Sequence, residues 1–263
     1  MSGTGRGPVG TPCVLGIDIG AGSLKTTVVD ALGRERGSAT RGFPTRSPHP
    51  GWSEQDPEDW WRALCDTVPR ALAQAGLAPA TVRAVAFSAG AHSPVLTDAD
   101  NRLLRPAILW NDQRSGAEAG ELQARHGARI LALALNLPPP NWAKPQLMWL
   151  VRHEPEVAAA VRHVYVAKDW LRMRLAGDWT TDLTDAVGTL LWDHAAHRWS
   201  DELCAMIGWD ASTLPPVVRP TDRVGTVGEA AARECGLPAG TPVVCGTSDT
   251  SAESFGLGIR IIR

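Results

Sequence analysis

The early part of the chain alternates between short apolar runs and turn residues. Runs rich in β-branched residues occupy positions 14–19 and 25–29 and are joined by the glycine segment 20–22, and a turn at 30–34 precedes a third run that ends before Pro44. Short β-branched runs bounded by turn residues are typical of strands connected by hairpins. The pattern therefore predicts three successive strands at the start of a sheet.

Beyond the hairpins, the hydrophobic period changes repeatedly between that of a helix and that of a strand. Asp56 followed by Pro57 is typical of a helix N-terminus, and the amphipathic run behind it extends to about Ala75. Further strands are predicted at 82–87, 164–166 and 242–245, a hairpin at 95–104, and helices at 114–126, 146–162, 170–176 and 229–235. This alternation predicts an α/β fold, with hairpins early in a mixed sheet and helices that flank it.

The length and charge of the chain limit its function. With 263 residues, 44% of them apolar, it can bury a large core as one large domain or two small ones. Lysine and arginine number 26 against 28 acidic residues, so the chain has no global positive field for binding nucleic acid or an anionic membrane. The longest apolar runs, such as 130–135, are too short to span a bilayer. We therefore expect neither nucleic acid nor a membrane as a partner.

The cysteines and the N-terminal residues bear on the compartment. The five cysteines are far apart in the sequence and form no CxxC pair, which argues against a disulfide framework and against a zinc site. Residues 1–12 are rich in glycine and proline and lack an apolar core, so they are predicted to be a flexible leader and not a signal peptide. Both observations favour a reducing cytoplasm.

Asp18 and the glycines that follow it are the first candidates for chemistry. A dinucleotide-binding loop has a third glycine and leads into a helix, but here Lys25 takes that position and a strand follows. The chain also has no GxxxxGK[ST] phosphate loop. Two interpretations remain. Backbone N–H groups around Gly20 and Gly22 approach an anion while Asp18 holds a hydrated metal ion, or the segment is an ordinary hairpin turn.

A second acid, Asp249, ends a similar segment. The strand at 242–245 leads through Gly246 to this carboxylate. The next residues, TSAE at 250–253, have the pattern of a capping box. Asp249 is therefore either an exposed carboxylate at the end of a strand, like Asp18, or part of a helix cap.

Several sequence motifs follow one another in a specific order. They are Asp18-x-Gly20 with Lys25, HPGWSEQDPEDWW at 49–61, RPAILWNDQR at 105–114, LMWLVRHEPE at 147–156, AKDWLRMRLAGDWTTDLTDAVGT at 167–189 and GTSD at 246–249. Together, from about Val14 to Gly258, they resemble the N-terminal half of the FGGY carbohydrate kinases, especially of the members that phosphorylate xylulose.

The resemblance implies a fold and a reaction. The fold is an actin-like, or ribonuclease-H-like, lobe at residues 13–258 that binds the sugar, followed by a tail at 259–263. In the family a second, C-terminal lobe of the same fold holds the adenosine, and we expect this sequence to lack it. The implied reaction transfers the γ-phosphate of ATP, with Mg²⁺, to a hydroxyl of a ketose such as D-xylulose. Because half of the nucleotide clamp would be missing, we expect the 263 residues to be inactive alone.

The resemblance also implies roles for individual residues. Asp249 corresponds to the catalytic base that accepts the proton of the sugar hydroxyl, and Asp18 to the residue that positions Mg²⁺ and the transferred phosphate. His92 corresponds to the histidine of the sugar pocket, beside Ala91, where the family usually has methionine. The other implied site residues are Gly20, Gly22 and Lys25 on the phosphate side and Trp110, Asn111, Asp112, Arg114 and Thr250 on the sugar side. Without the resemblance, His92 would be expected in the core and Arg114 as a solvated charge.

Two other functions stay open. Ala21, Ala91 and Thr250 differ from the usual residues of the family, which favours a non-catalytic module that binds a sugar or a protein partner. A kinase lobe for another polyol, such as glycerol, would have the same fold, although the LWNDQR motif and His92 favour a ketose. An apolar surface facing the expected second lobe would also favour association into homodimers.

Overall fold

The computed structural model describes residues 10–258, so residues 1–9 of the predicted leader and the predicted tail at 259–263 lie outside the described residues. The strands are β1 (Cys13–Ile19), β2 (Ser23–Asp30), β3 (Glu35–Gly42), β4 (Glu54–Gln55), β5 (Val82–Ala89), β6 (Pro94–Thr97), β7 (Ala107–Ile108), β8 (His163–Val166), β9 (Thr181–Asp182), β10 (Trp192–Asp193), β11 (Arg198–Trp199), β12 (Val217–Val218), β13 (Arg223–Thr226), β14 (Pro242–Val244) and β15 (Thr247–Ser248). The helices are α1 (Pro57–Ala75), α2 (Gly116–Ala134), α3 (Ala143–His153), α4 (Pro155–Ala160), α5 (Ala167–Ala176), α6 (Leu183–Gly188), α7 (Asp201–Ala205), α8 (Glu229–Cys235) and α9 (Asp249–Gly256).

A mixed sheet forms the centre of the molecule. β1, β2 and β3 are antiparallel neighbours joined by tight turns, as the apolar runs predicted. β5 lies parallel to β1 on its other side, followed by β14 and then the antiparallel strand β13, and β15 also pairs with β5. This order of hairpins and parallel strands, with flanking helices, confirms the predicted α/β class and is the topology expected of an actin-like lobe.

One face of the sheet packs against helices α1, α5 and α8. In β1, Leu15, Ile17 and Ile19 are buried, whereas Val14 and Asp18 are exposed. Successive side chains of a strand point to opposite faces of its sheet. Asp18 therefore lies on the face that these three helices do not cover.

Helix α1 begins where the sequence predicted. The Asp56 carboxylate accepts a hydrogen bond from the N–H of Glu58 at 3.0 Å, and Pro57 occupies the first helical position, where its missing N–H costs nothing. The helix ends at Ala75, also as predicted, and Trp60 on its buried face is 1% exposed. The first turn of α1 is thereby held against the main core.

Two other helices differ from the prediction in their bounds. The run at 146–162 forms two helices, α3 and α4, because Pro155 has no N–H to continue α3 and Glu154 leaves the helical conformation. Helix α2 continues to Ala134, since Ile130 and Leu133 extend its buried face. Helices α2 and α3 pack on each other and contribute to a second buried cluster of apolar side chains.

The state of the cysteines and the composition of the helices were both the subject of predictions from the sequence. Each of the five cysteines, all of which fall within residues 10–258, is a free thiol. Among the helices of these residues, none has the length and apolar composition needed to cross a membrane.

Candidate functional site

A cavity of about 300 Å³ opens where the parallel strands β1, β5 and β15 reach their carboxyl ends. This edge is where ligands bind in open α/β sheets. The lining residues are Ile19, Gly20, Ala21, Gln55, Trp60, Gly90, Ala91, His92, Ser93, Leu109, Trp110, Ala167, Asp249 and Thr250. The fold therefore brings together Gly20, Ala91, His92, Trp110, Asp249 and Thr250 of the predicted site, whereas Asp18, Gly22, Lys25, Asn111, Asp112 and Arg114 do not line the cavity.

Strand register explains how acids far apart in the sequence reach one edge of the sheet. Asp18 in β1 and Thr247 in β15 are both register partners of Ser88 in β5, which lies between them. Adjacent strands are about 4.8 Å apart. Ser88 Oγ donates a hydrogen bond to Asp18 Oδ1 at 2.7 Å. Asp18 is therefore level with Thr247, which lies two residues before the cavity residue Asp249.

Asp249 is the first residue of helix α9, and Ser248 occupies the N-cap position, where its hydroxyl bonds to Ser251 Oγ at 3.1 Å and caps no backbone N–H. The predicted capping box at 250–253 is wrong, because the helix begins before Thr250. Asp249 Oδ1 instead accepts the N–H of Thr250 at 2.6 Å and its hydroxyl at 3.2 Å. Asp249 Oδ2 has no hydrogen-bond partner among residues 10–258 and lies 3.7 Å from where a Cβ on Gly90 would stand. Asp249 lines the cavity, and its Oδ2 is not among the buried side-chain atoms without a partner, so this oxygen is accessible.

His92 lies on the cavity wall in a conformation that is rare for a residue with a side chain, with φ of 67°. Its Nδ1 is 2.8 Å from the carbonyl oxygen of Gly188, and its ring stacks on Trp142 with centroids 4.2 Å apart. Since a carbonyl can only accept a hydrogen bond, Nδ1 carries the proton. Burial lowers the pKa of His92, although the Gly188 carbonyl and the Asp249 charge oppose this effect. A neutral ring leaves Nε2 as an acceptor for a ligand hydroxyl.

Trp110 lies at the rim of the cavity and is 43% exposed. Its backbone N–H donates to Ser93 Oγ at 3.2 Å, and its indole lies next to Gly90. A half-exposed indole offers an apolar face to the C–H groups of a sugar and can keep its N–H in water. Asn111, the next residue, is exposed outside the lining.

Asp112 and Arg114 lie behind the cavity wall, and both side chains are fully buried. The Arg114 guanidinium donates two hydrogen bonds to Asp112, at 2.9 and 2.8 Å, and pairs with Glu54 at 2.8 Å. Its guanidinium also stacks over Trp52, 3.7 Å from the ring centroid. The default expectation of a solvated Arg114 is therefore wrong, because two carboxylates and an indole surround it. Both residues support the loop that carries Trp110.

The glycine turn between β1 and β2 is closed by a bond from Gly20 N–H to the Ser23 carbonyl at 2.9 Å. The Gln55 amide donates to the Ala21 carbonyl at 2.7 Å, and the Gln55 carbonyl accepts the Trp60 indole N–H at 2.9 Å. The buried Gln55 therefore fixes the turn against α1. Sequence reasoning included it only as part of a motif, because its role depends on contacts with residues distant in the chain.

Lys25 lies outside the cavity but directly opposite Asp18 in the β1–β2 register. Its Nζ is 3.9 Å from Glu35, and both side chains are about half-exposed. Within residues 10–258, no group of three or more His, Cys, Asp or Glu side chains is arranged to hold a metal ion. Mg²⁺ that accompanies nucleotides needs only one or two protein carboxylates, since phosphates and water supply its other ligands. Asp18 fits such a shared site.

Comparison with known proteins places these features in a family. Residues 13–256 match the FGGY family of carbohydrate kinases, N-terminal domain. Xylulose kinase of Escherichia coli (strain K12) is 35% identical over 246 residues, 93% of this chain and 50% of the relative. Xylulose kinase of Streptomyces coelicolor is 38% identical over 258 residues, 95% of this chain and 51% of the relative.

The solved structures agree with this result. The crystal structure of xylulose kinase from Rhodospirillum rubrum matches with a TM-score of 0.89 and 30% identity, over 94% of this chain and 51% of that one. The chain spans about half the length of the curated relatives that it matches. The family match extends over nearly all the described residues and the fold agrees with it, so the resemblance found in the motifs is confirmed: the chain belongs to the FGGY family of carbohydrate kinases.

Proposed function

We propose that this lobe binds a ketose in the cavity and presents one sugar hydroxyl to the γ-phosphate of ATP. The observation that carries the proposal is the accessible Oδ2 of Asp249, which has no partner within residues 10–258 and lies in the same cavity as His92. The relatives' name, xylulose kinase, supports a ketopentose, and we propose D-xylulose as the substrate.

The cavity wall would hold the sugar through groups of two kinds. His92 Nε2 accepts a hydrogen bond from one hydroxyl, since its Nδ1 proton is already committed to Gly188. Trp110 covers the apolar C–H face of the sugar at the rim. These contacts fix the orientation of the reacting hydroxyl relative to Asp249.

Asp249 would act as the general base. As the hydroxyl oxygen bonds to the γ-phosphorus and the bond to the ADP oxygen breaks, the carboxylate accepts the hydroxyl proton. We propose that the phosphate approaches past Asp18 and the turn at 20–22, where Asp18 would hold Mg²⁺, which neutralises charge on the phosphates. We propose that the adenosine is bound by a second lobe. This lobe corresponds to the half of each relative that the present sequence does not match.

The proposal is tested by measuring ADP release with D-xylulose. The assay uses the chain fused to the half of the E. coli relative that it does not match, and the 263-residue chain alone as a comparison. We expect xylulose-dependent turnover in the fusion and only background from the chain alone. Asp249→Asn should lower kcat of the fusion about 10²–10⁴-fold, the usual contribution of a general base. Glu253→Gln, which removes a charge one turn along the exposed part of the same helix, is the matched control and should keep full turnover.

The outcomes separate the competing functions. Turnover that survives Asp249→Asn would contradict the assignment of the base. Binding of D-xylulose with no turnover by the fusion would favour a non-catalytic sugar-binding module. Turnover with glycerol in preference to D-xylulose would favour a kinase for another polyol.

Two lesser proposals concern the surroundings of the protein. We propose a cytoplasmic location, since the five cysteines are free thiols. We also propose homodimers through the end of α9, where Phe255 and Leu257 are 84% and 80% exposed. Sedimentation of a monomer at every concentration would contradict the second.

A further inference from the structure

Next to Ala167 of the cavity wall, Lys168 is buried among three carboxylates. Its Nζ lies 2.6 Å from Asp169 Oδ1, 3.0 Å from Asp182 Oδ1 and 2.9 Å from Asp185 Oδ2, and no side chain of the four is more than 2% exposed. Taking such charges out of water is costly, and an apolar core of the same shape is often at least as stable. The cluster is therefore better explained by the structural elements that it holds in place than by a contribution to the stability of the fold.

Asp182 connects the cluster to the strand that ends at Asp249. Its Oδ2 accepts the hydroxyl of Thr247 at 3.0 Å. Thr247 lies in β15, two residues before Asp249, and does not line the cavity. Burial alone would raise the pKa of Asp182, but the contact with Lys168 lowers it. The acceptor is thus a carboxylate, and hydrogen bonds to a charged acceptor are about twice as strong as neutral ones.

The same carboxylate begins the element that leads to His92. Asp182 Oδ2 also accepts the N–H of Thr184 at 3.0 Å and so caps helix α6. This helix ends at Gly188, whose carbonyl oxygen accepts the Nδ1 proton of His92. One oxygen of Asp182 therefore holds both the strand before Asp249 and the helix that orients His92.

We propose that Asp182, fixed by Lys168, is a positioning residue that sets the placement of Asp249 relative to His92 across the cavity. The proposal rests on the proposed function, because it assumes that both side chains contact one sugar. Two contacts to the same small ligand require their separation to be held closely, since small errors in placement weaken both. Neither Asp182 nor Thr247 touches the ligand in this arrangement.

The test removes only the hydroxyl that links Asp182 to β15. Thr247→Val keeps the size and branching of the side chain, and Thr247→Ser keeps the hydroxyl as the matched control. Two quantities are measured on the 263-residue chain: the affinity for D-xylulose by calorimetry, and the imidazole resonances of His92 by NMR, assigned from the spectrum of His92→Ala. We expect Thr247→Val to weaken binding about tenfold and to shift the His92 resonances. Thr247→Ser should keep both within about twofold of the wild-type result.

Each outcome decides the matter. A structural role alone would lower the unfolding temperature of Thr247→Val but leave the His92 resonances in place, and that result would overturn the proposal. Equal losses in the serine and valine variants would overturn it as well, because packing and not the hydroxyl would then be responsible. If Thr247→Val does not fold, Thr247→Ala should give the same two changes, and wild-type behaviour of that variant would contradict the proposal. Absence of xylulose binding in the wild type would refute the proposed substrate, while the resonances would still test the positioning role.

Discussion

At the scale of single residues, the site depends on Gly188, whose lack of a side chain leaves space for the ring of His92. A Cβ on Gly188 would lie 2.7 Å from Cε1 of His92, closer than real Cβ atoms approach, and 3.0 Å from its Nδ1, which is tighter than most contacts. The imidazole fits between this backbone and the Trp142 ring. Nothing local in the sequence identifies Gly188 as part of the site, because it is 96 positions from His92.

We therefore expect Gly188→Ala to weaken binding of D-xylulose about tenfold, or about 1.4 kcal/mol. The added methyl would displace His92 from its hydrogen bond, while the helix around it gains a better helix former. Gly120→Ala is the control, since its Cβ would meet nothing within 4 Å in the exposed part of α2. Calorimetry that finds the same affinity in Gly188→Ala and Gly120→Ala would contradict this role of Gly188.

At the scale of elements, the sequence predicted those whose signals are local. The turn between β2 and β3 is an example, because Asp30 Oδ1 accepts the N–H groups of Leu32 and Arg34 at 2.9 and 3.1 Å. The cap of α1 at Asp56 is another. The capping box at 250–253 failed although its pattern was correct, because the pairing of β15 with β5 and the bonds of Asp249 start the helix earlier.

The Asp30 turn gives a prediction about pH. The hydrogen bond from Arg34 N–H is the largest cause that lowers the pKa of Asp30 to about 2, and the Arg34 side chain adds to it. The ordinary pKa of about 3.9 applies to the unfolded chain. The unfolded state therefore binds more protons in this range, so the carboxylate stabilises the fold above about pH 4 and loses this effect as the pH falls through about 2.

We expect Asp30→Asn, which keeps an acceptor for the turn but does not titrate, to remove this dependence. Urea unfolding at about pH 5 and about pH 2 gives the difference in unfolding free energy between wild type and variant. That difference should shrink at the lower pH. A difference that stays constant would show that the Asp30 charge does not act on stability.

At the scale of the whole molecule, the sheet topology determines which residues meet. Motifs at 18–25 and 246–249 were recognised in the sequence. The two motifs lie near each other only because β1 and β15 both pair with β5, one on each side. The buried cluster around Lys168 was not predicted as part of the site. Its members all lie in the motif at 167–189, but the motif alone does not show that Lys168 contacts Asp182 or that Asp182 bonds to β15, 65 residues further along the chain. Local pattern thus gave the elements and the family motifs, whereas the supports of the site required the fold.

The central claim, that a ketose binds between His92 and Asp249, is tested most directly by titrating D-xylulose into the wild-type chain and into His92→Ala by calorimetry. Losing one partner of a buried hydroxyl costs about 1–3 kcal/mol, or about 5- to 150-fold in affinity. We predict measurable binding to the wild type and a loss of that size in the variant. Equal affinity in the two proteins, with both folded by circular dichroism, would contradict the account.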